Sequence, residues 1–388
     1  MSADGTRQRL LAQLGVRPVI NAHNDLTGLG GSLPQGPVIE AMFVANESFL
    51  EVDSLSDAAG VAIAEMLGIE AALVTPGAAA ATVLATAACM TDGRKDLVAR
   101  LPDTRGLRNE FVVQAGRRTF YDRCLEGAGG RIVPAGDEIS TSEADIEEAI
   151  GERTAGIFFY APDAPNVVPF DRVLAIAKRH HLAVIVDAAE QVYPLDNLSR
   201  YVRAGADFAT YSGKFFGAGS TAGLLTGTAA GITGARRNSY LAFEGPDAQA
   251  FGRHMKVGRG EILAAYAALR SWLEMDHDRR FRQYRRLLDN MRTRLEGFSF
   301  LSFSYEDGSV TADPKPPDSL RVRFDRSRSP KTLEEVVREL HDGEPCIILR
   351  PHYRWVDPDR NYLDIRVSTL RAGQEKIIAG RLAEILGG

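Results

Sequence analysis

Tyr211-Ser-Gly-Lys214-Phe-Phe-Gly-Ala-Gly219 sets one lysine in a glycine-rich turn between two short apolar runs, residues 208–211 and 223–226. Lysines are usually solvated. One held between buried strands is desolvated, its pKa falls, and the neutral amine is free to form a Schiff base with an aldehyde. The glycines let backbone approach a bound group closely, and Ser212 offers a hydroxyl to a phosphate. Taken alone, the segment also reads as a loop lysine in a Gly-rich turn.

Outward from this turn, between about residues 50 and 227, helical patterns alternate with short apolar runs at 111–114, 131–134, 156–160, 183–187, 208–211 and 223–226. Such alternation predicts an α/β fold with a mainly parallel sheet covered on both faces, and near-continuous apolar character is what buried parallel strands require. Helices are expected at 142–150, with Ser142 as cap and Asp145 in the first turn, and at 171–180. Residues 71–90 carry no charge and read as a buried helix interrupted at Pro76-Gly77, not as a membrane span. From about residue 258 the texture changes to a long Arg-rich amphipathic stretch, 261–295. Strand patterns follow at 319–324, 346–350 and 362–367, then a closing helix at 372–386. This predicts an N-terminal arm (1–49), a large domain (50–250) and a small α+β domain (251–388) with its own mixed sheet. The most loop-like stretches are 163–169 and 305–319.

Asp187 closes the run Ala183-Val-Ile-Val-Asp187, and ligands of parallel sheets bind outside the carboxyl ends of the strands. A carboxylate there can keep the ring nitrogen of pyridoxal phosphate protonated. Ala189 is small enough to lie under a flat ring, and Gln191 can hydrogen-bond the ring hydroxyl. An aspartate capping the next turn is the competing reading. Thr75-Pro-Gly77-Ala78-Ala79 leads into an apolar helix whose bared first amides suit a phosphate, although such starts also serve tight packing. The order phosphate turn, aspartate, lysine is more specific than any of its parts.

The chain has 388 residues, 46 basic and 51 acidic, for a net charge of -5. No basic surplus exists to hold a nucleic-acid backbone. Cys89, Cys124 and Cys346 lack CxxC spacing, so neither a disulfide framework nor a metal site is indicated, and a reducing cytoplasm fits. The polar N-terminus has no signal-peptide core.

The motifs Val19-Ile-Asn-Ala22, Leu29-Gly-Gly-Ser32, Ala71-Ala-Leu-Val-Thr-Pro-Gly77, Val186-Asp-Ala-Ala-Glu-Gln191, Tyr211-Ser-Gly-Lys214 and Gly252-Arg-His-Met-Lys-Val-Gly258 resemble those of fold-type I (aspartate aminotransferase fold) pyridoxal phosphate enzymes. Among these they are similar to the selenocysteine synthase-like group. The resemblance implies a seven-stranded large-domain sheet and a cofactor linked through Lys214. It implies a ring-nitrogen partner at Asp187, phosphate contacts at Gly77, Ala78, Ala79 and Ser212, and substrate-binding charges at Arg253 and Lys256. It also implies a homodimer or larger even assembly. Arg366, in Ile365-Arg-Val-Ser368, looks like the carboxylate-binding arginine of such enzymes, with a surface strand arginine as the alternative.

Two departures stand out. Relatives usually carry a ring-stacking histidine where this chain has Arg117, which either stacks on the ring, binds an anion, or forms a solvated pair with Arg118. Asn21-Ala-His23-Asn24-Asp25 adds an imidazole able to act as acid or base beside the substrate, with Asn24 as a substrate contact; His-Asn-Asp is also a good turn. The transfer-RNA branch of the group needs a basic surface and an added N-terminal module, both missing here. The resemblance therefore implies a free β-hydroxy-α-amino acid deprotonated at Cα to a quinonoid. Three fates follow: oxidation by dioxygen with decarboxylation to a carboxamide, as in nucleoside-antibiotic biosynthesis; β-elimination by an ammonia lyase; or reprotonation. The first is the preferred expectation, and a catalytically dead binding homologue is the reading from another class.

Overall fold

The computed structural model describes residues 10–242, 251–307, 315–354, 356, 357 and 359–387. Strand β1 (Val19–Ala22) precedes the large sheet, whose strands are β2 (Ala71–Thr75), β3 (Glu110–Gln114), β4 (Arg131–Ala135), β5 (Thr154–Tyr160), β6 (Ala183–Asp187), β7 (Phe208–Ser212) and β8 (Gly223–Gly227). Their order is β2-β8-β7-β6-β5-β3-β4. Every neighbouring pair is parallel except those of β8, which runs antiparallel to both β2 and β7. β6 through β8 are buried almost along their length, because helices cover both faces. The aspartate aminotransferase-like fold type I expected from the motifs is the fold observed.

The charge-free stretch 71–90 is a strand and then a helix, not one helix. β2 ends at Thr75, and helix Ala78–Thr91 starts after Gly77, whose φ of 95° few side chains tolerate. Ser142 does cap helix Glu143–Ala149, in a capping box with Asp145.

The chain forms two compact units. Among the described residues, the larger spans Ser32 to Met275, and the smaller joins those up to Gly31 to those from Asp276 onward. The division thus falls 25 residues after the expected start of the small domain. Helix Arg259–Glu274 packs on helices Gly36–Asn46 and Val52–Leu67 of the larger unit. The Arg-rich stretch is two helices, because Asp276 leaves helical geometry and caps His277–Leu295 by accepting the Arg279 amide at 2.8 Å.

In the smaller unit β9 (Leu301–Glu306), β10 (Ser319–Phe324) and β12 (Tyr362–Arg366) form an antiparallel sheet in the order β12-β10-β9. Leu320, Val322 and Phe324 are buried on alternate positions of β10. β11 (Cys346–Leu349) pairs instead with β1, in parallel, so the expected mixed sheet is two sheets. Of the expected loop 305–319, Tyr305 and Glu306 belong to β9, and 308–314 lie outside the described residues. Among the described residues no helix is long and apolar enough to cross a membrane.

Candidate active site

The carboxyl ends of the parallel strands carry most of the expected residues of the larger unit. Thr75, Gly223 and Ser212 form one row across β2, β8 and β7. The turn after Thr75 is tied by the Gly77 amide donating to the Thr75 carbonyl at 2.8 Å and by Thr75 Oγ1 donating to the Gly77 carbonyl at 3.0 Å. It lies so close on β8 that a Cβ on Gly223 would sit 2.5 Å from the Gly77 carbonyl carbon and 2.8 Å from the Ala78 nitrogen. This cradle holds the first amides of helix Ala78–Thr91, from Ala78 and Ala79, beside Ser212.

Asp187 ends β6 with Tyr160 on β5 and Thr210 on β7 as register partners. It is 7% exposed, and its carboxylate accepts the Ala189 amide at 3.1 Å. Burial pushes its pKa up to about 6; the Ala189 amide pulls it down, while Glu190 and Asp122 raise it further. No cation appears among the groups that set it. A buried carboxylate in that situation is costly unless a positive group arrives, and a protonated pyridine nitrogen is such a group. Thr210 Oγ1 beside it is buried without a hydrogen-bond partner. Ala189 also accepts the Ser212 amide at 3.1 Å through its carbonyl, and Gln191 is buried two residues on, its amide on the Ala188 carbonyl.

Lys214 sits in the turn after β7, half-buried, with Nζ 4.8 Å from the Phe215 ring centre. A Cβ on Gly213 would meet the Ala222 carbonyl at 2.6 Å, so this glycine is required by close approach. The cradle, the buried carboxylate and the lysine at adjacent strand ends fit pyridoxal phosphate.

Arg117 follows β3, with its guanidinium 5.0 Å from the Tyr160 ring centre and Nη2 donating to the Pro162 carbonyl at 3.0 Å. Its Nε is buried without a partner. Arg118 ion-pairs with Asp122, which is fully buried and also accepts the Thr119 amide. Arg117 is half-buried against Tyr160, while Arg118 is exposed and ion-paired with Asp122. Tyr160, unremarkable in sequence as the last residue of an apolar strand, becomes visible only once register puts it against Asp187 and under Arg117. Asp122 was hidden likewise in an irregular segment.

Arg253 is half-buried and Lys256 exposed in the segment before helix Arg259–Glu274, where the Gly252 amide donates to the Asn238 carbonyl at 2.7 Å. The remaining expected residues belong to the smaller unit. His23 Nδ1 meets Asn24 Oδ1 at 2.9 Å. Burial lowers its pKa, the Asn24 contact raises it, and Arg350, His352 and Arg366 lower it further. Arg366 is 8% exposed, has Asp318 at 3.6 Å from Nε, and has a buried Nη2 without a partner. It is not a surface arginine.

Residues 133–223, which include Asp187 and Lys214, match the DegT/DnrJ/EryC1/StrS aminotransferase family. The chain is 31% identical to a 5'-C-glycyluridine monooxygenase-decarboxylase of Streptomyces sp, over 96% of this chain and 91% of the relative. It is 28% identical to a D-glucosaminate-6-phosphate ammonia lyase of Salmonella typhimurium, over 96% of both chains. A solved D-glucosaminate-6-phosphate ammonia-lyase superposes with a TM-score of 0.83 at 27% identity, over 97% of this chain and 98% of the other. An aspartate aminotransferase from Thermotoga maritima shares the fold, with a TM-score of 0.52 at 15% identity, over 99% of this chain and 96% of the other. With these relatives spanning nearly its whole length, and the phosphate turn, aspartate and lysine gathered at one end of one sheet, the chain belongs to the fold-type I pyridoxal phosphate-dependent enzymes of the selenocysteine synthase-like group.

Proposed function

We propose that this pyridoxal phosphate-dependent enzyme removes the Cα proton of a free β-hydroxy-α-amino acid and, with dioxygen, converts it to the shortened carboxamide, CO2 and water. The buried Asp187, one strand from Lys214, is the observation that carries the first half of this reading. The relative at 31% identity, whose name is that of a monooxygenase-decarboxylase, supports the second.

When bound, the cofactor supplies an electron sink for the pair left by the departing proton. Lys214 Nζ takes that proton, and the Asp187 carboxylate holds a proton on the ring nitrogen. Amides of Gly77, Ala78 and Ala79 and the Ser212 hydroxyl hold the phosphate. Ala189 would lie against the ring, Gln191 would bond its hydroxyl, and Arg117 would stand where the stacking residue is expected. Arg366 offers a guanidinium fork to the substrate carboxylate, with Arg253, Lys256 and Asn24 as further contacts. His23, whose pKa burial lowers, serves as a base through Nε2, since Nδ1 is engaged by Asn24. The enzyme works as a homodimer or larger even assembly in the cytoplasm.

An oxygen electrode with candidate β-hydroxy-α-amino acids is the test. Oxygen uptake matched by CO2 and carboxamide supports the proposal. Ammonia and a keto acid formed equally well without oxygen would establish the second reading, an ammonia lyase, which the relative with a TM-score of 0.83 favours.

A further inference from the structure

One row of side chains crosses the large sheet at the level of Asp187. Register pairs Leu73 with Leu225, Leu225 with Thr210, Thr210 with Asp187, and Asp187 with Tyr160. Residues paired in this way point to the same face, on strands about 5 Å apart. Thr210 therefore stands between a leucine on β8 and the buried carboxylate on β6. It is fully buried, and its Oγ1 has no hydrogen-bond partner. Every other buried threonine among the described residues is hydrogen-bonded through its hydroxyl. Thr82 and Thr86 donate to carbonyls one turn back in helix Ala78–Thr91, and Thr226 on β8 donates to the Ala209 carbonyl at 3.1 Å.

A hydroxyl left unpaired in a core is costly, so an exception asks for an acceptor. The β8 side of Thr210 offers only a leucine. On the β6 side, Asp187 Oδ1 takes the Ala189 amide at 3.1 Å, and among the described residues no protein donor meets Oδ2. Tyr160 flanks Asp187 from β5, but a phenol oxygen sits at the far end of its ring and overshoots a neighbour at its own level. The threonine hydroxyl is one bond from Cβ, so its rotamer decides which flanking strand it faces.

We propose that Thr210 is a positioning residue for Asp187, its hydroxyl donating to Oδ2 when the carboxylate faces the ring nitrogen of the cofactor. This rests on the reading above that Asp187 meets that nitrogen. With the Ala189 amide on one oxygen and the Thr210 hydroxyl on the other, the carboxylate is held in one plane and in its ionised form. Each oxygen keeps a lone pair for the ring N–H. Without the hydroxyl the carboxylate turns more freely and is more easily protonated, and its grip on the ring proton weakens.

The test sets pyridoxal phosphate against its analogue with carbon in place of the ring nitrogen. Each is titrated by calorimetry into the cofactor-free wild type, into Thr210→Val, which keeps the shape and loses the hydroxyl, and into Thr210→Ser, which keeps the hydroxyl. The wild type should bind pyridoxal phosphate at least tenfold more tightly than the analogue. Thr210→Val should lose about tenfold for pyridoxal phosphate and nothing for the analogue, and Thr210→Ser should match wild type. With nitrogen-15 in the ring, the loaded Thr210→Val should show the nitrogen resonance moved toward the unprotonated form. Thr210→Ala, smaller at the same place, should give the same ratio if valine disturbs the fold. A threonine with only a structural part predicts that valine, by removing an unpaired hydroxyl, binds both cofactors at least as well as wild type; that result overturns the proposal. Equal losses for both cofactors mark a packing defect and overturn it too. A wild type that binds the two alike overturns the reading of Asp187 and this inference with it. A wild-type preference that persists unchanged in Thr210→Val leaves that reading intact and removes only the role of Thr210.

Discussion

Tyr160 and Asp187 are register partners at the carboxyl ends of β5 and β6, and the Arg117 guanidinium lies 5.0 Å from the Tyr160 ring centre. Burial, then Asp187 and Glu190, push the Tyr160 phenol up to about 12, against a smaller opposing pull from Arg117. The phenol therefore stays a donor at any working pH.

Asp187 makes the cofactor-free protein pH-sensitive. Its folded pKa, about 6, exceeds the ordinary value of 3.8, so the folded state binds this proton more tightly than the unfolded one. The resulting cost is absent below the unfolded pKa, grows as pH rises through the window between the two values, and levels off above about 6. Asp187→Asn should stabilise the cofactor-free chain by roughly 2–3 kcal/mol at pH 7.5 and by little near pH 3.5. Urea melts at the two pH values read this directly. The same variant should bind cofactor more weakly and lose activity.

Gly223→Ala drives a methyl into the backbone of Gly77 and Ala78, neither of which is a flexible side-chain end. A stability loss of about 1–3 kcal/mol is expected from overpacking. Displacing the phosphate turn should also weaken cofactor binding about tenfold or more. An absorbance titration with pyridoxal phosphate that matches wild type would show that the turn does not hold the phosphate.

Removing Arg118 leaves the fully buried Asp122 carboxylate without its cation. Because Arg118 itself is exposed and Asp122 keeps its Thr119 hydrogen bonds, the loss is about 1–2 kcal/mol. Arg118→Ala should lower the denaturation midpoint accordingly, while Arg118→Ala combined with Asp122→Asn should recover part of the loss, as a double-mutant cycle would record.

His23 titrates below its ordinary 6.5 because burial and three cationic neighbours outweigh its Asn24 contact. If the neutral ring is the base, kcat/KM falls on the acid side with a midpoint below 6.5, and His23→Asn lowers the plateau by about 10²–10⁴-fold. An acid limb that is unchanged in this variant would assign it to another group.

Much of this was legible in the sequence because chemistry and local pattern coincide there. Lys214, Asp187 and Gly77 each sit where an apolar run meets a turn, and their order along the chain needed no tertiary information. Residues 71–90 misled because an alanine-rich run without charge has neither the period of a helix nor that of a strand, and only Gly77 marks the change. Residues 301–306 went unread because Ser302 and Ser304 alternate with half-buried aromatics, a weak strand signal. Tyr160 was invisible for a different reason. Its place beside Asp187 comes from register between strands distant in sequence, which no local window contains.

The pairing of Val19 with Cys346 also sets an order on assembly. As the ribosome releases the chain, the stretch from Ser32 to Met275 is complete long before β11 exists. The nascent large unit can close around its cofactor while β1 waits with an open edge for a strand made near the end. A message cut short before Cys346 would thus leave a cofactor-holding half with an unpaired strand edge, open to the wrong partner.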